Sequence, residues 1–354
     1  MPSDLSRANL RFTHGVSVVG ATGAVGREVL RVLHERRVPA GKVRALASDA
    51  SVGTLVPFGE DDLVIEATTP ENIQSAPVSI FAASSEISKR FGPAAAAVGT
   101  VVIDNSSAFR LDAGIPLIVP GVNGGTLNGA SRLIANPNCS TIMLVVALEP
   151  LRKAFGLERV IVSTYQAVSG AGLGAVAELK DQLRTVLEGG EARPRFFKEP
   201  CAFNLFSHDS EVDLEDGLNV EERKIIAEAA KIWDDSRVRI TPTCVRVPVI
   251  RAHSQSIVVE LSRPATLVEV RSAFAHGKGI TVVDDRVNNS FPTPLKASDQ
   301  DQVLVGRIRV DPAERPDPEE KYKRFCFFSS ADQLRRGAAT NALDIAARLG
   351  LLPG

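Results

Sequence analysis

A doubly wound parallel α/β sheet followed by a domain of mixed α+β character is the fold this chain predicts, on three observations. The first is a strand, Val16-Ser17-Val18-Val19, running through the turn Gly20-Ala21-Thr22-Gly23-Ala24-Val25-Gly26 into a helix with one apolar face, Arg27 to Leu33. The second is a series of short, unalternating apolar runs separated by helix-forming stretches, the pattern of strands buried on both faces. The third is a change of texture in the second half, where the strands lengthen and alternate, as in a sheet with one face solvated or buried in an oligomer.

Each element follows from local signals. The first turn has the spacing G-x-x-G-x-x-G, a variant of the dinucleotide fingerprint, in which amides at a helix N-terminus receive a pyrophosphate. Gly20, Thr22, Gly23, Ala24, Val25 and Gly26 are therefore candidate cofactor contacts; the plain alternative is a tight turn that needs glycine only for sterics. Strands are then expected at Val43–Ser48, Leu63–Ala67, Val78–Ala82 and Val101–Asp104, with a helix over Ile87–Val98. The run Ile142–Leu148 reads as a buried helix. Later strands are expected at Arg159–Tyr165, Arg237–Thr241 and Ser256–Leu261, and helices at Gly174–Leu187, Val220–Trp233 and Leu267–Ala275. Asp311–Glu320 is a polar, proline-broken loop, and Ala331–Leu349 an alanine-rich helix returning to the first domain. The expected domains are 1–138, with 331–354 packing back on it, and 139–330.

At 354 residues and 44% hydrophobic the chain has the size and composition of a two-domain globular protein. Its 41 Lys plus Arg and 42 Asp plus Glu nearly cancel, so neither a polyanion nor nucleic acid is indicated as a partner. No apolar stretch reaches the ~20 residues of a membrane span, and Met1 to Gly15 lacks the apolar core of a signal peptide. A cytoplasmic location is expected. The four cysteines, Cys139, Cys201, Cys244 and Cys326, have no metal-ligand spacing, so no metal is expected.

One of the four is placed for chemistry. In Asn136-Pro137-Asn138-Cys139-Ser140-Thr141 the cysteine stands at a loop-to-helix junction, where unpaired N–H groups and the helix dipole favour thiolate. Pro137 fixes the approach, Asn138 is a capping residue, and Ser140 and Thr141 are small enough to leave the thiol accessible. The run Cys244 to Ser254 delivers Arg246 and His253 from one strand-like segment. A histidine near a thiol handles protons in acyl transfer, and an arginine forks onto a carboxylate.

With these features in place, the chain resembles the aspartate-semialdehyde dehydrogenase family along nearly its whole length. The resemblance rests on Gly20–Gly26, Asp104-Asn105-Ser106-Ser107-Ala108-Phe109-Arg110, Asn136–Thr141, Gln166–Gly172, Glu221-Glu222-Arg223-Lys224, Arg246–His253 and Gly337–Asn341. It implies a Rossmann-type domain, an α+β catalytic and dimerisation domain, and a homodimer or dimer of dimers. It implies that Cys139 is the acylating nucleophile, Gln166 orients the acyl group and His253 is the acid/base. Arg246 would clamp the substrate carboxylate, Glu221 would contact its amino group, and Asn138 would line the substrate site. Arg110 and Lys224, from different domains, would converge on inorganic phosphate. Asn105 and the Ser169-Gly170 turn would lie near the nicotinamide of NADP, or of NAD, and Asn341 would be a further cofactor-binding residue. Reduction of N-acetyl-γ-glutamyl phosphate uses the same thiol logic and is the enzymatic alternative; a catalytically silent dimeric paralogue is the other. Singly, Gln166 and Asn105 read equally as ordinary loop residues, Glu221 with Lys224 as an exposed helical pair, and Arg110 as a loop holder.

The chain departs from the family pattern after the second strand, where Leu46-Ala47-Ser48-Asp49-Ala50-Ser51-Val52-Gly53-Thr54 lacks the usual arginine and lysine. Ser48 and Ser51 remain to hydrogen-bond a 2′-phosphate, while Asp49 opposes it and favours a ribose hydroxyl. Ala82-Ala83-Ser84-Ser85 replaces expected glycines, and Asp344 stands where the family often has Gln.

Overall fold

The computed structural model describes residues 15–315, 317 and 319–354. Met1–His14 and, in the expected loop 311–320, Pro316 and Pro318 lie outside the described residues. Two compact units are present: one runs to Asn138 and resumes at Ala338–Gly354, and the other is Cys139–Gly337.

In the first unit, strands β1 (Val16–Val19), β2 (Val43–Ala47), β5 (Glu66–Ala67), β6 (Val78–Phe81), β7 (Val101–Asp104) and β8 (Leu133–Ala135) form a sheet. Its order is β5-β2-β1-β6-β7-β8, and every pair is parallel. β1 sits at the centre with all four residues buried, which is why its sequence does not alternate. Between β2 and β5 lies an antiparallel hairpin, β3 (Leu55–Phe58) and β4 (Asp61–Val64). The expected single strand over 63–67 is therefore two. The Ile65 N–H donates to the Thr54 carbonyl at 2.8 Å, and the chain changes sheets there. Helix Ala24–Glu35 buries Val29, Leu30, Val32 and Leu33, and helix Thr340–Arg348 adds Ala342, Leu343, Ile345 and Ala346 to the same core. The helix expected from Ile87 begins at Ser85, because the Ser84 hydroxyl accepts from the Ile87 N–H.

The second unit is a mixed sheet in the order β10-β11-β9-β12-β15-β14-β13. Its strands are β9 (Leu157–Gln166), β10 (Phe206–Ser207), β11 (Arg239–Arg246), β12 (His253–Ala265), β13 (Ile280–Val282), β14 (Val303–Val310) and β15 (Tyr322–Ala331). β9 is parallel to β11 and antiparallel to β12. Its exposure alternates along the strand, leaving Ile161 and Tyr165 39% and 37% exposed on one face. Helices Leu173–Leu187, Val220–Trp233 and Leu267–Ala275 fall where periodicity puts them.

Two expectations need correction. Arg246 and His253 do not share a strand: Arg246 ends β11, His253 begins β12, and β9 lies between these strands. The final helix does not begin at Ala331, which pairs with His253 as the last residue of β15. The Asp332 carboxylate then accepts from the Leu334 and Arg335 N–H groups, a π-helical turn covers Arg335–Ala339, and the α-helix starts at Thr340.

Candidate active site

The site of the second unit is built at one end of β9. Arg246 lies opposite Gln166 in the β11 ladder, and Ser254, next to His253, lies opposite Tyr165 in the β12 ladder. Residues 247–252 carry the chain across that end. Val247 N–H donates to Gln166 O (3.1 Å), Val168 N–H to Val249 O (2.9 Å) and Ser169 N–H to Ile250 O (3.1 Å). Ala252 is held in the left-handed region at φ 71°. Its N–H donates to Gln333 Oε1 at 2.8 Å, while Gln333 Nε2 donates to the Ser169 hydroxyl. Gln333 thus ties the turn at Ser169–Gly170 to the residue before His253.

Cys139 is the first residue of the helix Cys139–Phe155 and is half-buried. The three other thiols are buried, and burial pushes Cys201 up to about 11, Cys244 up to about 12 and Cys326 up from its ordinary value. They are inert as nucleophiles for that reason. Behind Cys139, the Ser140 hydroxyl accepts from Gln166 Nε2 and the Ser140 carbonyl accepts from Gln255 Nε2 at 2.9 Å. Gln166 Nε2 also donates to Glu221 Oε1 at 3.1 Å, so both its protons are committed and its buried Oε1 has no protein partner. Two glycines keep space open around the reactive groups. A Cβ at Gly337 would stand 2.8 Å from the Cys139 Cβ, and one at Gly170 would stand 3.1 Å from His253 Nε2.

His253 is buried, and its Nδ1 accepts from the Ala167 N–H at 2.9 Å. In the neutral ring the proton therefore sits on Nε2, which is the atom beside Gly170. Burial is the main reason its pKa falls from 6.5 to about 3, with the Arg246 charge adding to it. The folded value lies below the unfolded one, so between them only the unfolded chain takes up the proton, and stability is lost as pH falls. From pH 7 to pH 5 this group alone is expected to cost about 2 kcal/mol. In His253→Asn the Oδ1 replaces Nδ1 as acceptor without titrating. Urea midpoints at the two pH values should show a smaller acid loss in the variant than in the parent; an equal loss would remove His253 as its source.

Arg246 is buried, with its guanidinium 5.4 Å from the Phe197 ring centroid. Nε and Nη2 donate to one oxygen of Asp209, at 3.2 and 2.8 Å, Nη1 donates to Ala167 O at 3.1 Å, and Nη2 also donates to His208 Nε2 at 3.0 Å. Burial pushes the Asp209 carboxyl up, but the hydrogen bond and charge of Arg246 together pull it below its ordinary value. Glu221 and Lys224 are paired at 3.2 Å, yet not as an exposed helical pair: Glu221 is buried and bonded to Gln166. Sequence reading missed His208, Asp209, Gln255 and Gln333. Nothing in a lone sequence marks them, since each acts through a partner distant along the chain.

In the first unit, Gly20 has φ 82° and a Cβ there would meet the Ala82 carbonyl at 2.4 Å; one at Gly26 would meet the Gly20 carbonyl at 2.1 Å. These two glycines close the turn. Gly23 precedes the helix Ala24–Glu35 with no side-chain cap, leaving first-turn N–H groups at Ala24 and Val25 for an anion. Thr22, Ala24 and Val25 are half-buried around it. Ser48, Asp49 and Ala50 are exposed and Ser51 half-buried at the carboxyl end of β2. Asn105, Asn136 and Asn341 form a chain: Asn136 Nδ2 donates to Asn105 Oδ1 (2.8 Å) and Asn341 Nδ2 to Asn136 Oδ1 (2.6 Å). Arg110 donates to the carbonyls of Asn136 (3.0 Å) and Asn105 (2.7 Å), holding this loop just before the buried Asn138. Asp344 pairs with Arg36 at 2.6 Å. Among the described residues there is no cluster of metal-ligating side chains and no helix long and apolar enough to cross a membrane.

Residues 15–130 match the family "Semialdehyde dehydrogenase, NAD binding domain", and residues 148–336 match "Semialdehyde dehydrogenase, dimerisation domain". The chain is 41% identical over 335 residues to the aspartate-semialdehyde dehydrogenase of Aquifex aeolicus, covering 94% of this chain and 96% of that protein. It is 39% identical over 342 residues to the Bacillus subtilis protein of the same name, covering 94% and 96%. The crystal structure of aspartate semialdehyde dehydrogenase II from Vibrio cholerae, complexed with ASA, superposes with a TM-score of 0.86 at 37% identity over 95% of this chain and 97% of that one. With both domains matched and full-length relatives at this identity, the chain belongs to the aspartate-semialdehyde dehydrogenase family.

Proposed function

We propose that this chain interconverts L-aspartate 4-semialdehyde and 4-aspartyl phosphate through a thioester on Cys139. The observation that carries this reading is the grouping at the end of β9: a helix-N-terminal thiol backed by Ser140 and Gln166, with His253 and Arg246 on the flanking strands. Cys139 Sγ bonds to the aldehyde carbon, and the carbonyl oxygen becomes the negatively charged oxygen of a hemithioacetal. His253, expected as the acid/base, instead offers its Nε2–H to that oxygen as a hydrogen-bond donor, because its Nδ1 lone pair is engaged by the Ala167 N–H. The nicotinamide cofactor, when bound, takes or returns the hydride. A phosphate oxygen then bonds to the thioester carbon, the C–S bond breaks, and the thiolate is restored. Gln166 keeps the buried Oε1 next to this reaction, Arg246 receives the substrate carboxylate, and Glu221, with Asn138, receives the amino end. Arg110 and Lys224 supply the positive charge for phosphate. Asn105, Ser169, Gly170 and Asn341 are the residues proposed to hold the cofactor, the first three toward its nicotinamide. Four cysteines in no disulfide fit a reducing cytoplasm.

The turn fits a dinucleotide: Gly23 leaves the helix N-terminus uncapped, and Thr22, Ala24 and Val25 line it. For the ribose we propose a weak preference for NADP, with NAD usable, because Ser48 and Ser51 are neutral donors and Asp49 stands exposed beside them. Ala50→Arg should shift the ratio of kcat/KM towards NADP by about tenfold or more, the worth of one charge-assisted contact. An unchanged ratio would show that this loop does not read the ribose. We propose a homodimer through the β9 face, where Ile161 and Tyr165 are exposed and Tyr165 lies against Phe328 with centroids 6.2 Å apart.

Nicotinamide reduction that requires phosphate and aspartate semialdehyde, and is far slower with N-acetylglutamate semialdehyde, tests the reading. The opposite preference would favour the acetylglutamyl alternative, and no turnover with either would favour a silent paralogue.

A further inference from the structure

We infer that Asp209 is an internal competitor for the substrate carboxylate, occupying the Arg246 fork until substrate displaces it. The inference rests on the reading of Arg246 as carboxylate anchor. A guanidinium has five N–H donors. Here two of them converge on a single Asp209 oxygen, a third is on His208 Nε2 and a fourth on the Ala167 carbonyl. Arginine only donates, so His208 Nε2 accepts here; on the other side of the ring Nδ1 lies 3.1 Å from the Ser210 hydroxyl and 3.3 Å from the Ser210 N–H. That hydroxyl also receives the Glu221 N–H at 3.2 Å. The edge of Arg246 suited to a bidentate carboxylate is thus already filled by one. A second carboxylate at that edge repels the first, so planar recognition of substrate requires Asp209 to leave.

The surroundings permit that exchange without unfolding the loop. Phe206 and Ser207 pair with Arg246 and Val245 of β11, and the His208 N–H donates to Cys244 O at 2.9 Å. The backbone that delivers Asp209 is pinned, while its side chain is 28% exposed and has solvent to turn into. Replacing one carboxylate by another keeps the buried guanidinium neutralised, so the exchange avoids stranding a charge. The same arrangement disfavours a substrate lacking the carboxylate, because Asp209 then stays in place.

Asp209→Asn keeps the shape and removes the charge. Succinate, a dicarboxylate without an aldehyde, is the binding probe, followed by calorimetry. Succinate is expected to bind about three- to tenfold more tightly to the variant, since less of the protein is held in the occluded state. KM for aspartate semialdehyde should fall by a similar factor with kcat little changed. Asp209→Ala must move both quantities in the same direction. Weaker or unchanged succinate binding in both variants would overturn the proposal, the first outcome making Asp209 a support that orients Arg246. Succinate binding is read without turnover. A protein that fails to oxidise aspartate semialdehyde but binds succinate more tightly after Asp209→Asn would lose the substrate reading and keep the competition.

Discussion

Cys139→Ser is expected to lower turnover by at least about 10³-fold, the scale of removing a nucleophile from a covalent mechanism. The serine hydroxyl is close in size, so the helix start and the Ser140–Gln166 contact persist and the loss is chemical rather than structural. Two features make the site intolerant. The thiol is the one half-buried cysteine, whereas Cys201, Cys244 and Cys326 are buried with raised pKa values and cannot stand in for it. His253 in turn presents a proton on Nε2 and has its Nδ1 engaged by the Ala167 N–H, so it is poorly arranged to activate an alcohol by removing its proton. Single-turnover kinetics and mass spectrometry of the acyl-enzyme check this. Near-normal turnover in the variant, with no acyl group on residue 139, would remove the thioester from the mechanism.

Arg246→Lys is expected to lower kcat/KM by about 10²-fold, mainly through KM. An ammonium lacks the planar fork, and each charge-assisted hydrogen bond it fails to reproduce is worth about 1.5–3 kcal/mol. The buried position sharpens the effect. Arg246 stacks on Phe197 and serves Asp209, His208 and Ala167 at once, and a flexible amine cannot meet all three. Steady-state kinetics over a range of semialdehyde concentrations decide it. A fall confined to kcat with KM unchanged would mean that Arg246 does not anchor substrate.

Much of the first unit was legible because its signals are local. The unalternating apolar run of β1, the glycine turn and the apolar face of the following helix can each be read within a few residues of sequence. The helices 220–233 and 267–275 were legible from their periodicity, and the folded chain adds a complete capping box at Asn219 and at Thr266 that the sequence reading had not used. The run 63–67 was read as one strand because Leu63-Val64-Ile65 has no turn residue to announce the change of sheet at Ile65, and the hairpin turn at Gly59-Glu60 before it was not picked out. In β14 the register shifts between Gly306 and Arg309, which blurs its period and hid a strand. Site residues divide along the same line. Cys139, Gln166, His253 and Arg246 sit in recognisable motifs. Asp209 and Gln333 matter through partners 37 and 81 residues away, a separation that only the folded chain closes.

The pleat of β9 puts Gln166 in the site and its neighbour Tyr165 on the outer face, one peptide bond apart. β9 is paired on both sides, parallel to β11 and antiparallel to β12, so a slip of one residue breaks both ladders at once. A single residue inserted or deleted within 157–165 would exchange the two faces, turning the amide outward and the phenol inward. Every motif would still read correctly along the chain, and the protein would have lost its reaction centre through arithmetic parity alone.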